Sequence, residues 1–337
     1  MIVGLPRETK PGERRVALLP VAVQELTAEG HDVQVEMRAG RAVGISDDDY
    51  RDAGAMIVTA RDAWDAELVV KVKELRDEDV AHAPAELAVF GFHHLVGAPE
   101  RARKVANTRL SAIAFELVRD ARGRAPILAP MSRIAGRMSI DVAREQLGRI
   151  PPRVLVLGAG PAGSAAAEAA RAAGADVTVL RRATATPEAI EEHALQADLV
   201  IGAVFVAGAP TPKLLRRELV ARMKRGAMIV DISIEEGGFA ETSRPTTHEH
   251  PVYVEEGVLH YCVGNMPAAR PADASAGLSE AVLPYVLDMA SEGVEAALLR
   301  DAGLRSAVLV WKGQVVHPVV AAECGLPYTA LSEAELA

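Results

Sequence analysis

Three cationic side chains in the N-terminal third of the chain stand just beyond apolar runs. Arg15 lies in Pro11-Gly12-Glu13-Arg14-Arg15-Val16, Lys73 closes Leu68-Val69-Val70-Lys71-Val72-Lys73, and His94 follows the run from Leu87 to Phe92. An arginine presents a forked donor that matches a carboxylate. A lysine polarises a carbonyl, and a histidine exchanges protons near neutral pH. Together the three suit a small 2-oxo acid or an amino acid. Each also has a plainer reading: Arg14 and Arg15 as solvated loop charges, Lys71 or Lys73 as a surface residue, and His93 or His94 as a structural histidine.

A second constellation begins at residue 153. The apolar run Arg153-Val154-Leu155-Val156-Leu157 leads into Gly158-Ala159-Gly160-Pro161-Ala162-Gly163, an alanine-dense helix over 164–173, Gly174 and a strand from Asp176 to Leu180. This spacing predicts a βαβ unit with a dinucleotide fingerprint. Gly158 permits the tight turn, Gly160 lets the backbone approach a pyrophosphate, and Gly163 allows close helix–strand packing. The first helical N–H groups then meet the anion. An NAD site places an acid about twenty residues after the loop, on the ribose 2′-OH. Here Leu180 is followed by Arg181 and Arg182 instead. Paired guanidinium groups suit a 2′-phosphate, with Thr184 and Thr186 as hydroxyl donors, so NADP(H) is expected in preference to NAD(H).

The elements that must position these residues follow from the pattern. Apolar runs at 2–5, 32–36, 56–58, 67–72, 87–92 and 111–114 read as strands, alternating with helices such as 21–29, which Pro20 opens and Gly30 closes. Strands at 198–204 and 227–234 extend a second series, and a helix is expected over about 276–300. Alternation of strand and helix implies parallel sheets covered by helices. The expected fold is α/β, with two doubly wound, Rossmann-like domains and an interdomain cleft. Residues 1–127 with 282–337 form the substrate domain, and 128–281 the dinucleotide domain.

Composition narrows the class. The 337 residues are half hydrophobic and a quarter charged, as in ordinary globular proteins. A net charge of −9 and only 4% aromatic residues argue against a nucleic-acid groove. No apolar run is long enough for a membrane span, and the N-terminus lacks a signal-peptide layout. Two cysteines make no disulfide framework, which fits the reducing cytoplasm. His248-Glu249-His250 lacks a third ligand at standard spacing, so no metal is expected.

The sequence resembles the alanine dehydrogenase and pyridine nucleotide transhydrogenase family. The resemblance is carried by Gly4-Leu5-Pro6-Arg7-Glu8, by Glu13 to Pro20, by Lys71-Val72-Lys73-Glu74 and by Phe92-His93-His94-Leu95. It continues through Ala129-Pro130-Met131-Ser132, Ala135-Gly136-Arg137, the glycine loop, Ala197 to Val204, Ser243 to Thr247 and Tyr261 to Pro267. It implies that Arg15 and Lys73 hold the substrate carboxylate and carbonyl and that His94 serves acid–base chemistry. It adds Glu235 at the position of a catalytic aspartate. It also adds Ser132, Ala203, Val204, Asn265 and Met266 to the cofactor contacts of Gly158, Gly160, Pro161, Ala162 and Gly163. Ser132 has a plainer reading as a helix cap.

The chain also departs from the family. Glu235 reaches one methylene further than aspartate. Ala274-Ser275 and Ser279-Glu280 replace Ser-Thr and Thr-Asn pairs, Arg133 replaces a glutamate, and a glycine-rich hairpin near subunit contacts gives way to Gln146–Pro151. The expected activity is an NAD(P)-dependent amino-acid dehydrogenase or imine reductase in a cytoplasmic homo-oligomer, at least a dimer. The alternatives are reductive condensation of a larger amine with a 2-oxo acid, as in saccharopine- and opine-type enzymes, and a non-catalytic, cofactor-binding regulator.

Overall fold

The computed structural model describes the whole chain except residues 97, 207–209, 333–335 and 337. Strands form where the apolar runs predict them: β1 (Ile2–Leu5), β2 (Asp32–Glu36), β3 (Met56–Val58), β4 (Leu68–Val70), β5 (Ala88–Gly91) and β6 (Ser111–Ala114). A helix over Leu128–Leu147 leads into β7 (Arg153–Leu157), β8 (Asp176–Leu180), β9 (Leu199–Gly202), β10 (Met228–Asp231), β11 (Val252–Glu255) and β12 (Val258–Tyr261). The helix Pro271–Glu292 follows, and later β13 (Val308–Trp311) and β14 (Gln314–Val315).

The chain divides into two compact units, Met1–Leu128 with Pro271–Ala337, and Ala129–Arg270. The expected domain boundary at 282 falls inside the helix Pro271–Glu292, which belongs to the first unit as one piece. The helix expected over 276–300 is two helices, Pro271–Glu292 and Val294–Arg300. Between them Gly293 sits at φ 90°, a conformation that ends a helix and that glycine adopts without strain.

The first unit is built on one sheet in the order β14-β13-β6-β5-β4-β1-β2-β3. Strands β1 to β6 pair in parallel, while β13 joins β6 antiparallel. The tail therefore returns to the first sheet. Strand order reverses between β1 and β4, and ligands of such sheets bind at that reversal, beyond the carboxyl ends of the strands. The core on one side packs Val69, Val89, Ala112 and Leu309 against Trp64 and Val105.

The second unit holds a sheet in the order β11-β12-β10-β9-β7-β8, with its reversal between β7 and β9. Val154, Val156, Ile201 and Val230 enter one buried cluster, while Leu155, Leu157, Val200 and Ile229 enter another. Both faces of the sheet are thus covered, which explains why these strands read as continuous apolar runs rather than alternating ones. No helix among the described residues is long and apolar enough to cross a membrane.

Candidate active site

In the first unit, β1, β4 and β5 are neighbours, and the segments leaving their carboxyl ends carry Arg15, Lys73 and His94. Arg15 is 3% exposed and binds Glu13 through two bonds, Nε to Oε1 at 2.8 Å and Nη2 to Oε2 at 2.6 Å. Burial favours the neutral form of Glu13, but the Arg15 bonds and charge, aided by Lys73, outweigh it and lower the carboxyl to about 2. The guanidinium is thereby held in a fixed plane. Lys73 is also buried, and its charge acts on Glu74 as well, which Lys10 binds at 2.6 Å. The loops after β1 and β4 are joined by Glu8, whose carboxylate accepts the Val72 N–H at 2.5 Å. The arginine loop is fastened from the other side by the helix Pro271–Glu292. Val16 donates to Ser275 Oγ at 3.0 Å, and Leu19 donates to Ser279 Oγ at 2.9 Å.

The structure separates the members of each cationic pair. Arg14 is exposed, whereas Arg15 is not. Lys71 is 1% exposed, lies 3.0 Å from Asp79 and 3.5 Å from Glu8, and donates to the carbonyls of Lys73 and Glu74. Burial works against its charge, but these carboxylates prevail and raise its pKa. It is a structural ammonium. His93 is fully buried, and burial lowers its pKa. Its Nε2 pairs with the Val89 carbonyl at 3.0 Å, so Nε2 carries the proton of a neutral ring. His94 is half-buried, with φ 46° and its ring stacked on Phe92.

The glycine loop of the second unit leaves β7 and enters a helix over Pro161–Ala172, so Pro161, Ala162 and Gly163 form its first turn rather than precede it. Proline fits there because no N–H is needed at that position. Gly158 sits at φ 107°, and a Cβ on it would lie 2.2 Å from the Ala203 carbonyl oxygen. A Cβ on Gly163 would lie 2.0 Å from the Gly158 carbonyl oxygen. Gly160, the N-cap, has nothing within 4 Å of such a Cβ. Two glycines thus allow packing and the third leaves open the space before a helix N-terminus, a cradle that fits a pyrophosphate. Gly158 donates to the Leu180 carbonyl at 2.9 Å, so the residue after that carbonyl, Arg181, adjoins the loop. Arg181 and Arg182 are exposed and form no ion pair among the described residues. Thr184 Oγ1 accepts the Arg181 N–H at 3.0 Å, and Thr186 caps the next helix by accepting the Ala189 N–H at 3.2 Å.

At the end of β10, Asp231 is fully buried and accepts from Ser233 N, Phe239 N and Ser243 Oγ at 3.0, 3.0 and 2.6 Å. Burial raises its pKa while these bonds oppose the rise. The loop carrying Glu235 is wound about this carboxylate. Ser233 also pairs with Val204, accepting its N–H at 3.0 Å and donating to its carbonyl at 2.7 Å. Ala203 and Val204 are thereby fixed beside the glycine loop. Glu235 is exposed, and a Cβ on Gly264 would meet its side chain at 3.5 Å, next to Asn265 at φ 55° and buried Met266. Ser132 lies inside the helix Leu128–Leu147, so it is no cap.

The structure therefore brings Arg15, Lys73 and His94 to adjoining strand ends in one unit. The glycine loop, Arg181, Ala203, Val204, Glu235, Asn265 and Ser132 belong to the other. Sequence reasoning passed over Glu13 and Glu116. Glu116 follows the run 111–114 just as His94 follows 87–92, so the same strand-end signal marks it.

Residues 4–135 match the alanine dehydrogenase/PNT N-terminal domain and residues 180–318 the C-terminal domain of the same family. The chain belongs to the alanine dehydrogenase/PNT family. An alanine dehydrogenase of Halomonas elongata is 38% identical over 363 aligned positions covering 97% of this chain and 98% of the relative. That alignment exceeds the 337 residues present here, so the relative carries segments this chain lacks. A solved L-alanine dehydrogenase is 35% identical with a TM-score of 0.89, covering 100% of both chains. A transhydrogenase from Sinorhizobium meliloti is 28% identical with a TM-score of 0.82, covering 94% of this chain and 99% of that one.

Proposed function

We propose that this chain interconverts an amino acid and its 2-oxo acid, taking up or releasing ammonia, with a pyridine nucleotide as hydride carrier and NADP(H) preferred. The observation that carries the reading is the placement of Arg15, Lys73 and His94 at the ends of three neighbouring strands flanking the order reversal of the first sheet. The alanine dehydrogenases among its relatives support the same class of reaction.

Arg15, oriented by Glu13, holds the substrate carboxylate through forked, charge-assisted bonds. Lys73 polarises the carbonyl oxygen, or the amine that replaces it. His94 takes a proton from the water that attacks the imine carbon and returns one to the departing amine. Glu235 serves as a base or polar anchor. The nicotinamide, when bound, accepts or supplies the hydride. Gly158, Gly160, Pro161, Ala162 and Gly163 would hold its pyrophosphate, and Ser132, Ala203, Val204, Asn265 and Met266 would contact the rest of it. Arg181 and Arg182 bind the ribose 2′-phosphate. We further propose that the unit Met1–Leu128 with Pro271–Ala337 serves the substrate and the unit Ala129–Arg270 the dinucleotide, in a homo-oligomeric cytoplasmic enzyme.

The test is a panel of 2-oxo acids with ammonium or with larger amines, followed by loss of reduced-nicotinamide absorbance. Turnover with ammonium supports the reading, and turnover only with a larger amine moves it to reductive condensation. Tight cofactor binding with no turnover across the panel overturns it in favour of a regulator. His94→Ala should lower kcat by roughly 10²-fold or more, the usual contribution of acid–base catalysis. Near-native turnover in that variant removes His94 from the reaction.

A further inference from the structure

His94 is held in a backbone conformation that side-chain-bearing residues rarely adopt, with φ 46°. Such a conformation persists only where the surroundings enforce it. Two contacts do so. The His94 N–H donates to Glu116 Oε1 at 2.8 Å, and the His94 carbonyl accepts from Arg101 Nη1 at 3.0 Å. The imidazole then lies nearly parallel to Phe92, 5.8 Å between ring centres and 10° between planes. Both polar groups of the peptide and the ring face are thus fixed.

Glu116 is placed by the fold for this task. It sits in the one-turn helix Phe115–Leu117 that directly follows β6, the parallel neighbour of β5, whose end delivers His94. Its second oxygen, Oε2, is buried and has no hydrogen-bond partner among the described residues. Leaving a carboxylate oxygen buried and unpaired opposes folding. Glu116 accepts that cost with its other oxygen committed to one N–H, that of His94.

We infer that Glu116 is a positioning residue for the reaction: through the His94 N–H it sets the left-handed backbone turn that aims the imidazole at the substrate. Arg101 completes the turn from the carbonyl side. The substrate clamp, Arg15 and Lys73, comes from other loops and does not depend on this turn. The inference rests on His94 as the proton carrier.

The experiment compares Glu116→Ala, Glu116→Gln and Glu116→Asp with His94→Ala, reading kcat, KM for the oxo acid and cofactor affinity. Glutamine keeps an acceptor oxygen at the same reach, aspartate keeps the charge but falls short, and alanine keeps neither. Positioning predicts that kcat falls about 10²-fold in the alanine variant, the scale of an ångström misplacement. KM for the oxo acid and cofactor affinity should stay near native, and glutamine should restore kcat to within a few-fold of native. The double variant with His94→Ala should be no slower than His94→Ala alone. Where the alanine variant does not fold, the order glutamine above aspartate in kcat carries the same conclusion. A native kcat in Glu116→Ala beside a crippled His94→Ala overturns the positioning role alone, as does aspartate outperforming glutamine. Near-native turnover in His94→Ala overturns both the inference and the reading beneath it.

Discussion

Replacing Arg181 with aspartate should reverse the cofactor preference, and the size of the change follows from where Arg181 stands. The Leu180 carbonyl accepts the Gly158 N–H at 2.9 Å, so the arginine begins one residue from the phosphate loop. It is exposed and makes no ion pair among the described residues, so no internal acid competes with a 2′-phosphate for it. A hydrogen bond to a charged group contributes about 1.5–3 kcal/mol, or roughly ten- to a hundredfold in kcat/KM. Solvent exposure and screening place this site toward the lower end for each arginine. The native enzyme should therefore favour NADPH over NADH by roughly tenfold to a hundredfold. Arg181→Asp removes one donor and repels the phosphate, and it supplies the acid that a ribose 2′-OH binds. The ratio should cross to favour NADH, while the rate constant for hydride transfer at saturating cofactor changes far less. The assay is kcat/KM for both cofactors at low and high salt, with the native preference shrinking as salt rises. Equal efficiency with both cofactors in the native enzyme refutes the reasoning. An unchanged ratio in Arg181→Asp does so as well.

Further outcomes follow from the geometry. Gly160→Ala should fold with a near-native Tm, since its Cβ meets nothing, yet lose cofactor affinity in a fluorescence titration. Gly158→Ala should lose both, because φ 107° and the Ala203 oxygen leave no place for a methyl group. Lys71→Ala should lower stability by about 3–5 kcal/mol in urea unfolding, because it strands Glu8 and Asp79 in the interior without their cation. Lys73→Ala should instead show its main loss in turnover, and equal stability losses in the two variants would remove this distinction. The Glu13 carboxyl is lowered in the folded state to about 2, from about 4.5 in an unperturbed glutamate, so it stabilises the protein fully above the higher value. That contribution is lost as pH falls toward the lower one. Glu13→Gln should flatten the stability profile between about pH 4.5 and 2, and an unchanged acid limb would show that Arg15 does not hold this carboxylate.

Much of this molecule is visible in its sequence because parallel strands buried on both faces must be written as unbroken apolar runs, as β4, β7 and β9 are. The glycine loop is legible for a similar reason. Two of its three glycines meet backbone oxygens that tolerate no side chain. The helix break at Gly293 was available as a glycine following Glu292, yet the apolar pattern on either side masked it. Spacing alone did not decide within Arg14-Arg15, Lys71/Lys73 and His93-His94, and the family resemblance supplied the choice. It depends on which member meets a carboxylate from another strand end, as Lys71 meets Glu8 from the loop after β1. Local spacing carries no record of such partners. Glu116 carries the strand-end signal, but its partner, a backbone N–H supplied by the neighbouring strand, leaves no mark in local spacing.

The serine contacts on the arginine loop tie residues very far apart in the chain. Val16 and Leu19 are separated from Ser275 and Ser279 by 259 and 260 positions. During synthesis the loop carrying Arg15 must therefore wait for these contacts until the helix Pro271–Glu292 has emerged. The second unit, continuous from Ala129 to Arg270, has all its strands in hand by residue 261. A nascent chain halted near residue 270 would contain every group assigned to the dinucleotide and all three cations, and still lack the anchor that holds Arg15 in register. Emergence of the helix Pro271–Glu292, rather than of Arg15 itself, is the event that fixes the arginine loop.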